Sequence, residues 1–321
     1  MAGIRPQTAY DPFIRGPLPV GVCTIEAEDT TRRRVFPCEI WHPAAPESGS
    51  YPLILFSHHA GGHRRAATFL CTHLSSHGYV VAALDHSEVL APELGRQANE
   101  TSEQKRLRFE AVIGSRVPDV RLLLDRVLDG GSPVSLDGCR IGIVGHSLGG
   151  WTSLAAPDIE PRIGAVVALA PAGASNPRPG ILPAKLNFDW GRNVPTLLLV
   201  AEDDVSLPLS GMYEIFERTP ATKQMVILRR ADHAHFMDNV EEMHETARNM
   251  EWPAELDYLK REMKPITELC SGADAYLFVR GLTLCHFDAF LRQDPAARQF
   301  LGGDIEAEMT ERGVEVLVHR Q

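Results

Sequence analysis

The sequence predicts an α/β fold, a mostly parallel sheet covered by helices on both faces. Three observations carry this. Short, continuously apolar runs (LILF, VVAAL, IGIV, AVVALA, TLLLV) recur along the chain, and such runs suit strands buried on both faces. Segments with helical spacing separate them, which implies βαβ units. The composition, 44% hydrophobic and 23% charged over 321 residues, is that of an ordinary globular chain, and no internal repeat or low-complexity tract points to an array. At this length one α/β unit over residues 1–321 is expected.

Strands are predicted at 21–28, 35–41, 53–57, 79–84, 141–145, 165–170, 196–201 and 224–228. The polar turn EDTTRRR joins the first two, so they should form an antiparallel edge hairpin. Helices are predicted at 65–77, 118–128, 148–156, 209–218 and 273–291. The first runs into Gly78, a residue suited to end a helix. The second places Pro118 at a first helical position. Three stretches fit the plan poorly: 87–115 is polar and charged, 172–193 is rich in Pro and Gly, and 240–272 is long and acidic. All three follow predicted strand ends, where open α/β sheets bind ligands. They are expected to be insertions that wall a substrate pocket. Trp151, Phe188, Trp190 and Trp252 are candidates to line it, although buried packing is the commoner fate of Trp.

Lys and Arg number 32 against 42 Asp and Glu, a formal net charge of −10. That argues against a nucleic-acid partner, because neutralising phosphates needs clustered basic residues. The runs Arg32-Arg33-Arg34 and Lys105-Arg106-Leu107-Arg108 are short and sit among acids, as solvated faces do. No apolar run approaches the ~20 residues that span a bilayer. The first twenty residues contain no apolar signal-peptide core, so a cytoplasmic location is expected. Cys23, Cys38, Cys71, Cys139, Cys270 and Cys285 show no paired spacing and should be free thiols in a reducing compartment.

The strongest chemical signal is Gly145-His146-Ser147-Leu148-Gly149-Gly150, set directly between a predicted strand and a predicted helix. GxSxG in that setting places a serine on a sharp strand-to-helix turn, its hydroxyl raised above the sheet. Glycines on either side leave room for the neighbouring chain. A serine needs a base, and the base needs an orienting acid. After the strand TLLLV come Glu202, Asp203 and Asp204. Asp204 lies furthest past the strand end and is preferred, with Asp203 and Glu202 as alternatives. After QMVILRR come His233 and His235. His233 is nearer the strand end and is preferred as base. His235 would more naturally open the next helix, and Asp232 and Asp238 are expected to be solvated. The oxyanion of an acyl-transfer intermediate needs preorganised donors. Leu148 N–H is one candidate, and Ala60 N–H in the loop Phe56-Ser57-His58-His59-Ala60-Gly61-Gly62 is the other, with His59 N–H as runner-up.

His58, His59 and His63 also invite a metal reading. No Cys or carboxylate completes a ligand set at standard spacing, and HExxH is absent, so no metal is expected. His58 should instead hold the loop by packing and hydrogen bonding, with His59 facing the pocket or solvent.

At these residues the chain resembles the α/β-hydrolase superfamily. FSHHAGG followed by LSSHGYVVAALDH is similar to platelet-activating factor acetylhydrolases and their bacterial relatives, as are the N-terminal segment YDPFIRGPLPVGVCTIEAED with CEIWHPA, the pattern HxxFxD at 233–238, and the ending GLTLCHFDAFL. The likeness covers about residues 10–301. It implies an α/β-hydrolase fold and a serine esterase or lipase-like activity without metal or organic cofactor. By motif position it implies Ser147 as nucleophile, His233 as base, and Ala60 and Leu148 as oxyanion donors.

Two departures stand out. The animal acetylhydrolases carry their acid just after the strand read here as VVALA, where this chain has Ala170. Its acid comes one strand later, as in cutinase-like polyester hydrolases and dienelactone hydrolases. His59 also replaces the usual Gly of the oxyanion loop. The functional expectation is therefore a carboxylic-ester hydrolase acting through Ser147, His233 and Asp204 on a small to medium hydrophobic ester. A polyester or lipid hydrolase is the alternative within the class. A binding protein that kept the fold and lost the chemistry is the alternative outside it.

Overall fold

The structure, a computed structural model, describes residues 10–45, 49–97 and 99–320. Among these residues nine strands form one sheet: β1 (Val20–Asp29), β2 (Arg34–Pro43), β3 (Tyr51–Ser57), β4 (Val80–Leu84), β5 (Leu136–His146), β6 (Ile163–Leu169), β7 (Thr196–Ala201), β8 (Lys223–Leu228) and β9 (Val316–Arg320). Their order is β1-β2-β4-β3-β5-β6-β7-β8-β9. The stretch from β4 to β8 is parallel. The β1–β2 hairpin and its junction with β4 are antiparallel, as is β9 on β8.

The continuous apolar runs have a direct explanation. Alternate strand residues point to opposite faces, and both faces are covered. In β3, Leu53 and Leu55 enter one core while Ile54 and Phe56 enter the other. In β6, Val166 and Ala168 take the first face, and Ala165, Val167 and Leu169 take the second. Helices α2 (Ser102–Arg126), α3 (Leu148–Ala155) and α4 (Leu209–Arg218) cover the first face through residues such as Leu124, Leu154 and Phe216. Helices α1 (Thr68–Ser76) and, further along the chain, α6 (Gly272–Phe290) cover the second through Leu70, Leu74, Phe278 and Leu282. Between them in sequence lies α5 (Val240–Asn249).

The structure corrects three expectations. The helix predicted at 118–128 begins sixteen residues earlier at Ser102, so Pro118 lies inside a 25-residue helix. Thr101 and Gln104 form a reciprocal cap that starts it, and Phe109, Val112, Ile113 and Val117 form an apolar stripe against the core among exposed charges. The stretch 87–115 is therefore largely helix rather than irregular insertion. Second, β9 lies outside the predicted strands, though burial alternates from Val314 to Val318 on the way into it. Third, segment 240–272 contains α5 and a helical turn at Asp257–Glu262, whereas 172–193 carries no helix or strand. Among the described residues no helix is long and apolar enough to cross a membrane.

Candidate active site

The carboxyl ends of β3, β5, β7 and β8 deliver the predicted residues to one edge of the sheet. Ser147 follows β5 and caps α3 with φ 58° and ψ −116°, a conformation that costs a non-glycine residue of order 1–3 kcal/mol and persists only where surroundings enforce it. Two glycines make the turn sterically possible. A Cβ on Gly145 would lie 2.3 Å from the Gly149 carbonyl oxygen, and one on Gly149 would lie 1.9 Å from that of Ser57. The start of α3 thus rests directly on the end of β3 and on His58 of the loop that carries Ala60. The Ser147 side chain does not cap the helix behind it. Its backbone is pinned instead: the amide donates to Leu169 O at 2.9 Å, and its carbonyl accepts from Trp151 and Ala172 at 3.0 Å each.

The three carboxylates after β7 are separated by geometry. Glu202 bonds Arg229 and the Arg230 amide. Asp203 pairs with Lys264 at 2.7 Å. Asp204 alone of the three meets the histidine: His233 Nδ1 lies 2.6 Å from its Oδ2. Its other oxygen accepts from the amides of Ser206 and Leu207, both at 2.9 Å, which fixes the carboxylate while its side chain is 1% exposed.

His233 keeps 26% of its side-chain surface open. Its ring packs 4.6 Å from that of His146, the residue before Ser147, and His146 in turn lies 5.7 Å from His59. Charge is partitioned within this stack. Burial pushes His233 down, but the Asp204 charge and hydrogen bond more than offset it, and its pKa ends above the usual value. His59 is lowered to about 4 by burial and then by His233, and His146 falls well below its usual value for the same two reasons. Only His233 of the three is disposed to take up a proton.

His235 and the two neighbouring aspartates occupy unexpected places. Asp232 is buried rather than solvated and accepts from His235 Nδ1 at 2.8 Å, His244 Nδ1 at 2.6 Å and the Ala234 amide at 3.0 Å. The second nitrogen of His235 lies 3.1 Å from Cys270 O. Oxygens thus face both ring nitrogens, and Nδ1 also lies 3.0 Å from the Asp232 amide nitrogen. Asp238, also expected in solvent, binds the amides of Thr68 and Phe69 and so caps α1.

Ala60 is exposed on its loop after β3, and His59 is half-buried. His58 is fully buried and does hold this loop: its Nδ1 donates to the His59 carbonyl at 2.7 Å, and its Nε2 accepts the His86 amide at 3.0 Å. Sequence reasoning did not anticipate a second serine–histidine–aspartate chain beneath the loop. Ser57 Oγ lies 2.8 Å from His86 Nε2, and His86 Nδ1 lies 3.2 Å from Asp119 Oδ2. All three residues are buried to 1% exposure or less, so no substrate reaches that hydroxyl. Among the described residues no group of three or more His, Cys, Asp or Glu side chains converges as a metal site.

A pocket opens between the segments that follow β6 and β7, and Ser147, Asp204 and His233 are not among the residues that line it. Its walls include Ala172, Ile181, Leu182 and Ala184 from the segment after β6, with Leu207 and Met212 from the segment after β7. Trp151 and Trp190 are buried packing residues whose indoles bond the carbonyls of Lys185 and Leu154.

This sheet, with its serine on the turn after β5, defines the chain as having the α/β-hydrolase fold. A ferulic acid esterase from Streptomyces cinnamoneus superposes with a TM-score of 0.69 over 94% of this chain and 97% of that one, at 22% identity. In sequence, residues 12–114 match the family model for platelet-activating factor acetylhydrolase, isoform II. The cutinase est1 of Thermobifida alba is 26% identical over 251 residues, covering 73% of each chain. The platelet-activating factor acetylhydrolase of Cavia porcellus is 30% identical over 162 residues, which is 41% of this chain and 37% of that relative. A bis(hydroxyethyl) terephthalate hydrolase of Streptomyces coelicolor is 24% identical over 254 residues, 74% of this chain and 71% of its own. By these relatives the chain is a serine ester hydrolase.

Proposed function

We propose that the protein hydrolyses a small to medium hydrophobic carboxylic ester through Ser147, His233 and Asp204, by way of an acyl-enzyme. The observation that carries this reading is the 2.6 Å bond from His233 Nδ1 to a buried, doubly anchored Asp204, with the His233 ring against the residue preceding Ser147. In this reading Ser147 Oγ attacks the ester carbonyl as His233 Nε2 takes its proton. Asp204 holds the Nδ1–H tautomer and stabilises the imidazolium. The amides of Ala60 and Leu148 bond the oxyanion. The alkoxide leaves with the proton from His233, and water then attacks the acyl-enzyme along the same route.

The pocket between the segments after β6 and β7 combines walls of Ala, Leu, Ile and Met with Asn176, Arg178, Ser206 and Ser210, a lining that suits an ester with an apolar group. Similarity to a cutinase and to a terephthalate-ester hydrolase over about three quarters of this chain favours a second reading, in which the ester belongs to a polyester. The six free thiols suit a reducing compartment, and the cytoplasm is the location we propose.

The test is a p-nitrophenyl ester series from short to long acyl chains, run beside a polyester film and a phospholipid. Fluorophosphonate labelling accompanies it. Ser147→Ala should abolish labelling and lower kcat by at least ~10³-fold. Labelling that persists in Ser147→Ala, or ester turnover left within tenfold, would refute the assignment.

A further inference from the structure

Arg116 projects from the middle of α2 and is 0% exposed. A buried guanidinium needs partners for its donors, and those it has are specific. Nη1 donates to the His58 carbonyl at 2.6 Å, and Nη2 donates to the His59 carbonyl at 3.2 Å and to Glu88 Oε1. The His59 carbonyl also accepts from His58 Nδ1 at 2.7 Å and from the Gly62 amide at 3.1 Å.

Two peptide units are therefore held by their oxygens. In a trans peptide the C=O and N–H point in opposite directions. The His58 carbonyl shares its peptide with the His59 N–H, and the His59 carbonyl shares its peptide with the Ala60 N–H. When one planar fork draws both oxygens inward, both amide hydrogens turn to the far side. Successive N–H groups aimed the same way make an anion-binding concavity. The cation behind the carbonyls also polarises the peptides, which strengthens the donors in front.

We infer that Arg116 is the positioning residue of the oxyanion site: it touches no substrate, and it aims the Ala60 N–H, with His59 N–H beside it, by clamping the carbonyls of His58 and His59. Glu88 supplies the opposing charge that keeps the guanidinium in place. This rests on the reading of Ala60 as an oxyanion donor. It adds that a residue on a helix 56 positions further along the chain sets how well that donor works.

The test uses Arg116→Lys, which keeps a charge against Glu88 but cannot span both carbonyls, and the double variant Arg116→Met with Glu88→Gln, which leaves no unpaired carboxylate. Rates on a p-nitrophenyl ester are expressed per active site counted by the burst, so that loss of folded enzyme does not enter. Losing one oxyanion donor outright costs ~10²–10³-fold in kcat. A misaimed donor should cost about 10-fold in Arg116→Lys, and the double variant about 100-fold, the lower end of that range, with KM within threefold. The inhibition constant of a trifluoromethyl ketone, which forms a tetrahedral adduct, should rise by the same factors. A kcat per active site within threefold of wild type in Arg116→Lys, or losses confined to the number of titratable sites, would overturn the inference. Either result leaves the Ser147 reading intact, because that reading stands or falls on labelling in Ser147→Ala.

Discussion

Replacing Asp204 by Asn exchanges one carboxylate oxygen for an amide nitrogen at nearly constant volume, and the surroundings decide how the site responds. Every partner of this carboxylate is a donor: the amides of Ser206 and Leu207 on one oxygen, and His233 Nδ1 on the other. Asn offers one acceptor and one donor. If its oxygen faces His233, two buried amides meet an NH₂ group, at about 1–3 kcal/mol for each unsatisfied donor. If its oxygen faces the amides, a single mismatch remains, at His233. The second arrangement wins, and the imidazole answers by moving its proton from Nδ1 to Nε2. That nitrogen then donates where it must accept from Ser147. The expected loss in kcat is about 10³–10⁴-fold, equivalent to about 4–5.5 kcal/mol of barrier, with little change in KM. The pH profile should shift as well. Asp204 is what holds His233 above its usual pKa against burial, so the residual activity should reach half-maximum at a lower pH than the wild type. Asp203→Asn is the control, because its carboxylate pairs with an exposed lysine, and exposed pairs contribute about 0–1 kcal/mol. Steady-state kinetics on a p-nitrophenyl ester between pH 5 and 9 measures both effects. A loss below tenfold in Asp204→Asn, or a larger loss in Asp203→Asn, would refute the reasoning.

Gly149→Ala should fail as an esterase, because its Cβ would fall 1.9 Å from the Ser57 carbonyl oxygen. Relief by backbone movement should cost about 1–3 kcal/mol or more and displace Leu148 N–H, seen as a lowered Tm together with lost turnover. His235→Gln tests the buried pair with Asp232. Burial pushes His235 down, but its bond to Asp232 lifts its pKa to about 10. A raised folded pKa gives stability that is complete below the unfolded value of about 6.5 and is lost as pH rises through the folded one. The variant should therefore be less stable by about 3 kcal/mol at pH 6, with the gap narrowing toward pH 10. Urea unfolding at the two ends of that range checks it, and a gap that widens with pH contradicts it.

The strands of the central sheet are legible because burial on both faces leaves uninterrupted apolar runs, as in Leu53–Phe56 and Val166–Leu169. The strained turn at Ser147 is legible because a serine in that conformation requires Gly145 and Gly149 beside it. The choice of Asp204 over Asp203 rests on distance past the strand end, and the structure brings Asp204 to His233 while sending Asp203 to Lys264. Arg116 cannot be read in the same way. It sits on a helix full of exposed charges, and nothing local distinguishes a guanidinium drawn into the core by two carbonyls from one in water. Asp232 escapes a sequence reading for a related reason: its burial depends on His244, which the helix beginning at Val240 supplies. The first half of α2 is hidden because the proline at 118 is a louder signal for a helix start than the capping pair Thr101 and Gln104.

The inner chain of Ser57, His86 and Asp119 has a practical consequence for counting. A template search for a serine, histidine and aspartate in a hydrogen-bonded row would nominate Ser57, since its Oγ lies 2.8 Å from His86 Nε2 and His86 Nδ1 lies 3.2 Å from Asp119 Oδ2. A phosphonate reagent discriminates by access instead. It should add a single mass increment per polypeptide, so that one equivalent of inhibitor is enough to silence the enzyme and to report its concentration.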